Sequence, residues 1–180
     1  MAFAHDTAQA LEAAAFLANS ELEPDTLLAF DDLVAFFDDF AYTGARPTAA
    51  DLEPVRSIRS DVRALFKATR DGAVPLVNRI LAEQSALPQL VRHGDIDWHI
   101  HAAADDRPLH ERILVETAMA MIDVIRADEL SRFDRCEMDD CDGVVFDLSR
   151  NRSRKYCSVT CTNRAAQAAY RARQADEVAS

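Results

Sequence analysis

Glycine is scarce in this chain, four residues in 180, and cysteine is absent from the first 135. So few glycines exclude a glycine-rich loop that cradles phosphate. Cations are short as well: 20 Lys and Arg against 31 Asp and Glu leave a net charge of −11, which taken over the whole chain opposes nucleic acid. No stretch approaches the roughly 20 uninterrupted apolar residues that cross a bilayer, so no membrane partner is expected. No serine or cysteine nucleophile stands inside a catalytic motif. Met1-Ala2-Phe3-Ala4-His5-Asp6 lacks a basic segment followed by an apolar run, and a reducing, cytoplasmic setting is expected. At 49% hydrophobic residues the chain can still bury a proper core.

What is present is concentrated near the C-terminus. Cys136, Cys141, Cys157 and Cys161 are spaced Cys-x4-Cys-x15-Cys-x3-Cys. Two close pairs separated by enough chain to fold back once can surround one ion tetrahedrally, the arrangement that structural zinc prefers. Two disulfides are the rival reading, suited to a secreted chain. A closed four-thiolate shell leaves no position for substrate, so the expected cofactor is one structural zinc and no enzyme is expected. Between the pairs, Val144 to Ser149 reads as a strand, Arg150 to Arg154 as a polar turn and Lys155-Tyr156-Cys157 as the returning strand. Ser158 is placed to cap a helix that continues to about Arg173. A knuckle, a hairpin and a helix around one ion predict a treble-clef-like zinc finger.

The segment resembles the CGNR zinc-finger family. Its tetrapeptide at the last ligand is Cys161-Thr162-Asn163-Arg164 here, with threonine in place of glycine. The resemblance extends to Phe146-Asp147-Leu148-Ser149-Arg150-Asn151, to Tyr156-Cys157-Ser158 and to Ala169-Tyr170-Arg171-Ala172-Arg173. In that family the finger follows an ABATE domain, and the N-terminal half is similar to it at Ala15-Phe16-Leu17-Ala18-Asn19-Ser20, at Asp31-Asp32-Leu33-Val34-Ala35-Phe36 and around Leu76-Val77-Asn78. The resemblance implies a bacterial transcription regulator that binds DNA. It also implies a helical domain over 1–130 and a finger over 131–176.

The charge distribution bears on the same question. Arg150 to Arg173 holds seven basic side chains and no acidic one, whereas residues 1 to 149 hold 13 basic and 29 acidic, net −16. A basic patch on an acidic body is an electrostatic footprint for a polyanion. Arg150, Arg152, Arg154 and Lys155 suit phosphates, and Arg164, Gln167 and Arg171, three and four apart on one helix face, include types that read base edges. The same cations could instead grip the acidic body or an acidic partner, which would make the finger a protein-interaction or structural module.

The remainder predicts a mainly α protein with small β-hairpins, an α+β fold. Helices are expected over Asp6–Asn19, Thr26–Tyr42, a stretch from a Thr48/Asp51 capping box to about Arg70, Pro75–Ser85, and onward from an Asp106 cap with Pro108 in the first turn. Such apolar helices exceed what a minimal DNA-binding unit requires, so this half is expected to sense a small-molecule effector or to pair as a homodimer, the alternative being a scaffold with a solid core and no pocket. Leu90 to His101 alternates like a hairpin, with Ile96, Trp98 and Ile100 on one face and Asp97, His99 and His101 on the other. The second set is either a solvent-facing polar side or a second metal site.

Overall fold

The computed structural model of the chain describes residues 3–93 and 96–178. Its elements run α1 (His5–Asn19), α2 (Phe30–Asp39), α3 (Leu52–Ser57), α4 (Arg59–Lys67), α5 (Arg70–Glu83), β1 (Gln89–His93), β2 (Ile96–His101), α6 (Leu109–Arg126), β3 (Phe133–Arg135), β4 (Val144–Phe146) and α7 (Val159–Val178). The fold is α+β, a helical region followed by a cysteine cluster with strands.

Helix α6 is the centre of the helical part because its apolar positions recur at three and four: Leu109, Ile113, Ala120, Met121 and Val124 are buried. It packs on α1 and α5, while α1 also packs on α4. On α1 the buried positions Thr7, Leu11, Ala14 and Ala18 follow the same spacing. Each fully buried Leu, Ile or Met contributes about 1.5–3 kcal/mol relative to exposure, so this helical seam is the main source of stability.

Several helix boundaries differ from expectation for local reasons. Helix α2 begins at Phe30 rather than Thr26, since the main-chain N–H of Leu27 donates to Asp25 Oδ1 and those of Leu28 and Ala29 donate to Asp32 Oδ2. Those bonds hold a turn that still buries Leu27. The Thr48/Asp51 capping bond is present at 2.8 Å, but the helix that follows bends at Ile58, and Arg59 beyond the bend reaches inward to Asp25. Helix α5 starts at Arg70 because Thr69 accepts from the Gly72 N–H, so Pro75 falls in the second turn, where it removes only the bond to the Asp71 carbonyl. Pro108 itself takes the cap position of α6.

The hairpin β1–β2 forms as expected, with Leu90 opposite Ile100 and an irregularity between Val91 and His93. Its expected turn at His93-Gly94-Asp95 lies outside the described residues at Gly94 and Asp95. The second hairpin is a correction. Strand β4 pairs antiparallel with β3, which precedes Cys136, and not with Lys155-Tyr156-Cys157. Phe133 carries the apolar surface for this pairing: it stacks on Phe66 of α4 at 4.7 Å and on Phe146 of β4 at 4.8 Å. Val144 and Phe146 therefore join the main hydrophobic core.

Candidate metal centre

The β3–β4 hairpin carries Cys136 at the end of one strand and Cys141 just before the other, and the Cys136 N–H donates to the Gly143 carbonyl at 2.9 Å. The other pair comes from the start of α7. The Cys161 N–H donates to Ser158 Oγ at 3.1 Å, which is the expected N-cap bond and fixes Cys161 in the first turn above Cys157. The four sulfurs lie within 4.8 Å of one another, and Cys141–Cys157, Cys157–Cys161 and Cys161–Cys141 are 3.6, 3.7 and 3.8 Å apart. A tetrahedral zinc with Zn–S bonds of about 2.3 Å sets its sulfurs about 3.8 Å apart. A disulfide would need about 2.05 Å, and all four cysteines are free. The donor set thus fits one structural zinc, held by Cys136, Cys141, Cys157 and Cys161.

The chemistry of the cluster agrees with its spacing. Burial, together with the three adjacent thiols, pushes the Cys157 thiol far up, so this group resists ionising beside its neighbours. At Cys136 burial also raises the thiol, but hydrogen bonds from the main-chain N–H groups of Met138 and Cys157 and from the Cys157 and Cys141 thiols together outweigh it and bring the group below the usual thiol range. Four thiolates can coexist only around a cation that replaces the protons. The Gly143 N–H donates to Cys141 Sγ at 3.4 Å, and a Cβ at Gly143 would stand 2.5 Å from Cys157 Sγ. Gly143 is therefore part of the site. Its only sequence signal was its place two residues after a ligand.

Below the metal cluster, Asp147 is buried and ties the loop between the cysteine pairs. Burial raises its carboxyl, yet N–H donors from Arg154 and Ser149, each at 2.7 Å, hold it below the ordinary carboxylate range. Buried Arg132 donates to the carbonyls of Asp147 and Ser149.

The basic residues divide into three groups. Arg152 pairs with Glu129 at 2.6 Å, Lys155 with Glu137 at 3.1 Å and Arg164 with Asp140. Arg154 turns into the finger, where its guanidinium donates to the carbonyls of Phe146, Tyr156 and Cys157. Arg150, Gln167, Arg171 and Arg173 are exposed, and among the described residues no carboxylate pairs with those three arginines. Helix α7 brings Arg164, Gln167 and Arg171 to one face. From Ala166 to Ala175 every side chain on it is exposed.

The second metal candidate does not assemble. His99 and His101 approach with their Nε2 atoms 3.1 Å apart, but Asp97 meets His99 through its main-chain carbonyl, to which His99 Nδ1 donates at 2.8 Å. Among the described residues the four cysteines are the only group of three or more such side chains close enough for an ion. Nor do these histidines face solvent. The apolar set is outermost, Trp98 being 62% and Ile100 50% exposed, while His99 and His101 line a cleft against α1 and α6.

Comparison with known families gives two matches. The model of the CGNR zinc finger covers residues 132–174, and that of ABATE, described as "Putative stress-induced transcription regulator", covers residues 11–128. No curated protein matches the chain. With more than half its length under the second model, and four thiols gathered within 4.8 Å of one another under the first, the chain belongs to the ABATE family and carries a CGNR zinc finger.

Proposed function

We propose that this protein is a DNA-binding transcription regulator of a reducing, cytoplasmic compartment, in which the zinc finger holds DNA and the helical domain receives an effector. The observation that supports it most is α7. This helix is braced by the metal cluster at its first turn, and from Ala166 to Ala175 its side chains are all exposed, with Arg171 and Arg173 the charged ones among them. A helix with so little packing is marginal alone, so a partner along its length is expected. Arg150, Arg171 and Arg173 offer uncommitted charge for phosphates, and Arg164 and Gln167 stand on the face best suited to base edges.

The ion pairs of Arg152, Lys155 and Arg164 favour a second reading, a zinc-stabilised protein-interaction module. Exposed pairs of this kind are screened by solvent and hold their partners weakly, so phosphate can exchange for them. Titration of the zinc-loaded full chain against random and genomic duplex DNA at two salt concentrations separates the readings. Binding that weakens steeply with salt is the expected outcome; no binding at low salt would leave the interaction module.

A further inference from the structure

A cleft of about 240 Å³ lies in the helical domain, far along the chain from the cysteines. It is walled by α1, the segment after α2, strand β2 and α6. We infer that this cleft is a binding site for a small organic cation, a primary amine on a short apolar body, held by the carboxyl of Glu116 and the hydroxyl of Tyr42. This rests on the reading of the helical domain as the effector-binding half.

Three features converge. Glu116 and Tyr42 both line the cleft, and among the described residues neither the carboxyl nor the hydroxyl makes a hydrogen bond. Glu116 is half-buried and opens on the cleft, so the donor it lacks must come from the cleft itself, from water or from a ligand. Arg112, whose charge acts on Glu116, does not fill that role, because its guanidinium donates to the carbonyls of Thr43, Ala45 and Arg107 and so holds the segment that closes the cleft.

Charge sets the ligand's sign. The lining carries three carboxyls, Asp6, Glu116 and Asp123, against the one guanidinium of Arg126 and the imidazoles of His5, His99 and His101. Asp123 is already met by Thr7, whose hydroxyl donates to it at 2.8 Å, so Glu116 remains the acceptor to be matched. Aromatic rings stand ready for a cation and its apolar body: Phe40 and Tyr42 line the cleft and pack with Phe36, at 5.2 and 5.5 Å between ring centres. Size sets an upper limit. The volume equals about eight waters at roughly 30 Å³ each and lies below the usual range for drug-sized ligands, so a compact amine fits.

The test uses the zinc-loaded full chain and calorimetric titration with benzylamine and n-pentylamine, with benzyl alcohol and benzoate as neutral and anionic controls. Saturable binding of at least one amine, at least tenfold tighter than either control, is expected. Glu116→Gln should weaken it tenfold or more, and Tyr42→Phe should weaken it less. Ala10→Phe, which fills the cleft from α1, should abolish it while zinc content and far-UV circular dichroism stay unchanged. No saturable amine binding, equal binding of benzyl alcohol, or amine binding indifferent to both Glu116→Gln and Ala10→Phe would overturn the site. Amine binding that leaves DNA affinity unchanged would keep the site and remove its regulatory role; DNA affinity without any amine binding would remove the site alone.

Discussion

At the scale of single residues, the metal cluster depends on one small side chain as well as on four thiols. Cys157→Ser should release the zinc, measurable as one equivalent of metal lost on dialysis. Gly143→Ala leaves every ligand in place but drives a methyl group into Cys157 Sγ and disturbs the N–H bond to Cys141. Its zinc affinity should fall by about 10–100-fold in competition with a chromophoric chelator, the usual cost of losing a supporting contact.

Glu116 supplies a residue-scale prediction of another kind. Burial raises its carboxyl from 4.5 to about 7, with Arg112 opposing and Asp105 adding to the shift. The folded protein therefore holds this proton where the unfolded chain has lost it, so stability is greatest below the lower value, falls as pH rises toward about 7 and then levels. The loss amounts to about 3 kcal/mol at most, since the cleft leaves the carboxyl some solvation. Glu116→Gln cannot ionise. Urea unfolding at pH 5 and pH 8 should show a flatter profile for this variant and higher stability than wild type at pH 8.

At the scale of elements, α7 separates the DNA-binding reading from the interaction module. Arg150, Arg171 and Arg173 make no ion pair among the described residues, so a triple alanine variant removes charge without loosening the finger. It should retain zinc and lower the salt dependence of DNA binding by about one unit of slope per lost phosphate contact. Arg154 is unsuited to this purpose. Its removal withdraws donors from three main-chain carbonyls, and any fall in affinity would mix contact with folding.

At the scale of the whole molecule, the finger is not an appendage. Asn19, the last residue of α1, receives the Val144 N–H at 2.7 Å and donates to the Val144 carbonyl at 2.8 Å. Arg63 of α4 donates to the carbonyl of Asp142 in the knuckle and pairs with Glu21. Stripping the zinc should therefore lower the thermal midpoint of the helical domain as well, followed through its far-UV signal. Asn19→Ala leaves two main-chain groups of β4 without partners and should cost about 1–3 kcal/mol in urea unfolding, with zinc bound.

The sequence by itself determined what depends on local spacing. The two cysteine pairs, the Ser158 cap, the Thr48/Asp51 bond and the apolar repeats of α1 and α6 each lie within a few residues of their partners, so short-range pattern was enough. The β3–β4 pairing was not legible in that way. Phe133-Asp134-Arg135 is too short and too polar to read as a strand, and it becomes one because Phe133 is stacked between Phe66 and Phe146. The inward histidines of β2, the unpartnered Glu116, the Asn19 clamp and the carboxylates beside Arg152, Lys155 and Arg164 were likewise decided by tertiary structure. Each depends on groups brought together from separate elements, and only the closing of the core sets which face of a hairpin meets α6 and which acidic side chain meets which arginine.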